Sequence, residues 1–65
     1  MSRYGIRTSA QTRELVRGLD LTYIALEQAR ASAVSKRRVK NMIEKLVEQA
    51  YDEWGVTIRS KILGN

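Results

Sequence analysis

The chain contains no cysteine, histidine, proline or phenylalanine. Without cysteine there are no disulfides and no thiolate metal sites. Without histidine the commonest metal ligand and the commonest general base are both missing. There is also no Gly-rich phosphate loop, and no carboxylate pair in an apolar setting. Catalysis and a cofactor are therefore not expected. Glu44, Glu48 and Asp52 recur one helical turn apart, but Lys40 and Lys45 stand among them. That mixture reads as a surface ladder of opposite charges rather than a metal site.

Long apolar runs are absent as well. Nothing approaches the roughly 20 apolar residues of a membrane span. The opening "MSRYGIRTSAQTR" lacks the apolar segment of a secretory signal. A cytoplasmic protein without membrane contact is expected. With no proline and only four glycines, little interrupts the chain between Gly18 and Gly55, which favours helix.

Sixty-five residues allow one domain, residues 1–65, with a limited core. Small domains are usually reinforced by disulfides, a metal or oligomerisation, and only oligomerisation is open here. A homodimer is expected. Lys and Arg number 12 against 7 Asp and Glu, a formal charge of +5. Such an excess suits a polyanionic partner.

Residues 1–8 form a basic arm carrying Arg3 and Arg7. Thr8 or Ser9 suits a helix N-cap. Residues 9–33 read as one helix or as two, broken near Gly18 with Asp20 capping the second. Ser35 suits the cap of the main helix, 35–54. Val39, Met42, Ile43, Leu46, Val47, Ala50, Tyr51 and Trp54 recur there at spacings of three and four. Gly55 ends that helix. The tail, 56–65, alternates briefly and fits a short strand, a docking arm or a frayed end.

Lys36, Arg37, Arg38 and Lys40 crowd the start of the main helix, and Glu48, Asp52 and Glu53 its end. The helix dipole prefers the opposite arrangement. Residues 25–44, "ALEQARASAVSKRRVKNMIE", place small Ala29 where two helices would touch and Ala33 in a turn. Val34, Val39 and Met42 would pin the second helix. This pattern resembles the helix-turn-helix of phage repressors and related bacterial regulators. The resemblance implies a sequence-specific regulator of phage or plasmid type that binds duplex DNA. Its recognition helix would start at Ser35. Ser35, Lys36, Lys40 and Lys45 would meet phosphates, while Arg37, Arg38 and Asn41 would read bases. The arm, with Arg3 and Arg7, would reach a neighbouring groove.

The alternative is a helical hairpin of residues 9–33 and 35–54 packed antiparallel. Leu15, Leu19, Thr22, Leu26, Ala29 and Ala33 would face Val39, Ile43, Leu46 and Ala50. The remaining apolar residues, Val47, Tyr51 and Trp54 among them, would meet a second copy in a homodimeric four-helix bundle. Such a protein would bind and modulate a partner protein, or bind RNA through its basic face. Both readings are all-α, with two or three helices in a helix-turn-helix or hairpin arrangement.

Overall fold

The computed structural model describes residues 7–64. Two helices, α1 (Ser9–Gln28) and α2 (Ala33–Trp54), pack against each other as a hairpin. No strand occurs among the described residues.

Thr8 caps α1. Its hydroxyl accepts from the Gln11 amide at 3.1 Å, and the Gln11 side chain accepts from the Thr8 amide at 2.9 Å. Two amides that the helix leaves unpaired are thereby satisfied. The helix then runs through Gly18 and Asp20 without a break. Asp20 is therefore not an N-cap, and the expected second segment does not exist. A single glycine costs a helix only about 1 kcal/mol.

The bend comes three residues earlier than expected. The Arg30 and Ala31 amides donate back to the Glu27 and Leu26 carbonyls at 3.1 and 2.9 Å, closing α1. Arg30 takes the left-handed conformation this needs, at φ 56, a position where glycine is usual. Ser32, not Ser35, caps α2, accepting from the Ser35 amide at 3.2 Å. Ala33 is then helical rather than part of a turn. At the far end Gly55, at φ 65, terminates α2.

The tail is a docking arm. Ile58 is buried in the core with Val16, Ile43 and Ala50, while Val56, Ile62 and Leu63 pack around them. Polar bonds fix its register. Asp20, buried in mid-helix, accepts from the Ser60 hydroxyl at 2.6 Å and from the Lys61 amide at 3.2 Å. Ser60 also accepts from the Ile62 amide at 3.2 Å, which starts the closing turn at 61–64.

This arm rotates α1 away from its expected seam. The residues α1 buries are Thr12, Val16 and Asp20. Leu15, assigned to the interhelical seam, remains 46% exposed. Val47 and Trp54, assigned to a second copy, lie against the chain's own core.

Two substitutions test this account by urea denaturation. A Cβ at Gly18 would meet nothing within 4 Å, so Gly18→Ala should raise stability by about 0.5–1 kcal/mol. Asp20→Ala should lower it by about 1–3 kcal/mol by orphaning the groups that bond the carboxylate. The Lys61 amide should then exchange its proton faster. Unchanged exchange at Lys61 would contradict the assigned clasp.

Candidate nucleic-acid interface

The basic start of α2 can be placed on the helix from its burial pattern. Ile43 and Ala50 are fully buried and mark the core-facing direction. At about 100° per residue, Arg37, Arg38, Asn41 and Lys45 all fall within roughly 50° of the opposite direction. All four are exposed. The hairpin thus brings four of the nine expected DNA-contacting residues onto one outward stripe.

The others sit differently. Lys40 is exposed on the flank beside that stripe. Lys36 is half-buried, one turn before Lys40, toward the core. The Ser35 hydroxyl lies 3.1 Å from that of Ser32, within the cap. Arg7 is half-buried just before the Thr8 cap, and Arg3 lies outside the described residues. Of Val47, Tyr51 and Trp54, expected at the dimer interface, Tyr51 is 66% exposed and the other two are half-buried.

The stripe is electrostatically available. Among the described residues, Arg37, Arg38, Lys40 and Lys45 have no carboxylate within ion-pair distance. Among the described residues an ion pair joins Arg17 to Glu14 at 4.0 Å, with both side chains 70% exposed. A pair that open to water holds its charges weakly. The cations of α2 also stand at the positive end of the helix dipole. Both effects favour an external anion at this end. The second half of α2 carries Glu48, Asp52 and Glu53, so the positive field is confined to the first three turns.

A second basic feature comes from the docked tail. Where the tail crosses α1 it leaves a groove of about 850 Å³. Leu21 and Ile24 contribute its apolar lining, and Arg13, Arg17, Arg59 and Lys61 bring four cations to it. Sequence reasoning missed this groove. Arg13 and Arg17 are visibly one turn apart, but nothing local shows that residues 57–64 return to lie beside them.

No group of three or more His, Cys, Asp or Glu residues among the described ones could hold a metal ion. No helix among them is long and apolar enough to cross a membrane. Compared with protein-family models, with curated proteins and with solved structures, the chain matches none of them.

Proposed function

We propose that this chain binds nucleic acid, with duplex DNA as the target, through the outward stripe on the first half of α2. The observation that carries the proposal is the exposure of Arg37, Arg38, Asn41 and Lys45 together on one helix face, with the cations unpaired among the described residues. Each cation that meets a phosphate releases condensed counterions, and this term supplies most of the affinity. Lys40 and Lys45 act on the backbone. Arg37, Arg38 and Asn41 have the donor and acceptor patterns that read guanine and adenine edges.

A DNA major groove, about 12 Å wide, admits a helix. The hairpin bend end enters first, because Glu48, Asp52 and Glu53 repel phosphates from the other end. The contact is a helix end presented by an antiparallel hairpin, in place of the steep two-helix crossing of the repressor pattern. A small regulator of the phage or plasmid kind remains the class this reading suggests.

A second reading has the chain bind and modulate an acidic protein. The apolar-lined groove ringed by Arg13, Arg17, Arg59 and Lys61 favours it.

Fluorescence anisotropy with a labelled duplex at increasing salt tests the first reading. Binding at low salt should weaken with a slope of log affinity on log salt of about −2, matching the phosphate contacts of Lys40 and Lys45. Arg37→Glu with Arg38→Glu should abolish binding and leave the helical circular dichroism unchanged, since both side chains are exposed. Absence of duplex binding at 20 mM salt, or binding that survives the double reversal, would rule the proposal out.

A further inference from the structure

Among the described residues, the tail covers one broad side of the hairpin and no segment covers the other. Going clockwise around one helix of an antiparallel pair corresponds to going anticlockwise around its neighbour. The flank of α1 that carries Asp20 therefore looks the same way as the flank of α2 that carries Lys40, Val47 and Trp54. The opposite side, free of the tail, presents Leu15, Leu19 and Leu26 from α1. From α2 it presents Val39, Met42 and Leu46, which follow the same three- and four-residue spacing.

None of these six side chains is fully buried, and Leu15 and Met42 are 46% and 52% exposed. Leu15 and Met42 are the exposed members of this aliphatic strip, while Leu19, Val39 and Leu46 pack in part against the chain's own core and leave only their outer edges on this side. A strip of this kind on a monomer usually marks an interface. The core beneath it is small. Its fully buried apolar residues are Val16, Ile43, Ala50 and Ile58. So small a core leaves a two-helix chain short of the apolar burial that offsets its chain entropy.

We infer that the tail-free side binds a second copy of this chain, reversed end to end, to form a four-helix bundle. The charge pattern of α2 selects the occupant and its direction. Arg38 borders the strip near the hairpin bend, and Glu53 borders it at the far end. A reversed copy brings the basic half of each α2 toward the acidic half of the other. A copy in the same direction, related by a two-fold axis along the helices, would set each α2 against an α1 and forgo this pairing of opposite charges. A two-fold axis across the helices also keeps the two α2 helices side by side. Both outward basic stripes then lie on one side of the bundle. The pairing itself does not depend on nucleic-acid binding.

Sedimentation equilibrium from 10 µM to 1 mM tests the pairing. The wild-type mass should approach twice the 7.4 kDa of the single chain. Leu15→Glu with Met42→Glu should weaken association by at least about a hundredfold, through burial of unpaired charge. Leu21→Glu, at a residue 64% exposed on the groove side, should leave the mass unchanged. If the double variant unfolds, the wild-type melting temperature still reports, because dimerisation makes it rise with protein concentration.

The absence of native cysteine permits a test of direction. Glu53→Cys alone should form no interchain disulfide, and a mixture of Glu53→Cys with Arg38→Cys chains should form the mixed one. A monomer at 1 mM, or a concentration-independent melting temperature, overturns the dimer. Association that survives Leu15→Glu with Met42→Glu overturns the face. Self-disulfides of Glu53→Cys overturn the reversed direction. DNA binding by a monomer would remove this inference and leave the proposed function standing.

Discussion

The clasp between Asp20 and the Ser60–Lys61 segment sets the arrangement of everything else. A carboxylate buried in the middle of a helix is costly unless its oxygens are matched, and here each oxygen has a donor from the tail. Those bonds span about forty residues of sequence and tie residues 56–64 to α1. Ile58 is thereby carried into the core beside Val16 and Ile43. The clasp also determines which way α1 faces. With Asp20 turned inward, Thr12 and Val16 follow at spacings of four, and Leu15 and Leu26 swing out of the seam. The same rotation opens the aliphatic strip and builds the groove on the other side. Losing the clasp would therefore alter both surfaces and not merely free a terminus.

What could be read from the sequence follows from the range of the forces involved. The all-helical class, the long amphipathic α2 and its end at Gly55 are matters of local periodicity and local backbone chemistry, and they are legible. So was the Thr8 cap. The exact bend was not. Ser32 and Ser35 are both competent caps, and the choice falls to Ser32 because Arg30 accepts a left-handed conformation that the sequence gives no reason to expect. The continuity of α1 was missed for a related reason. Asp20 has the chemistry of a cap, and its actual donors lie in a distant segment. The basic stripe was legible as residues at helical spacing, and the fold adds that they face outward. The groove was not, since half of its lining arrives through the clasp.

The order of charge along α2 is the remaining constraint. Cations at the start of a helix and carboxylates at its end work against the dipole at each terminus by a few tenths of a kcal/mol per exposed charge. A lone helix gains nothing from that order. Two consequences of it are useful once the hairpin is formed. The cations stay exposed, where their cost is reduced by any anion that binds. The carboxylates confine that anion to the bend end of the molecule.

The same order distinguishes the ways two hairpins can meet. Aliphatic strips associate with little preference for direction, because the hydrophobic effect is not directional. Charges on the borders of the strip supply the preference, as flanking charges set orientation in helical bundles. Arg38 and Glu53 stand at opposite ends of one border, so a copy reversed across the helices would bring each against its opposite. An interface of this sort would have Arg38 at its edge, leave Arg37, Asn41 and Lys45 outside it, and bring both basic stripes to one side. The apolar strip, the reversed dipole order and the outward cations then answer to one geometry, in which each feature costly to a single hairpin becomes favourable in the pair.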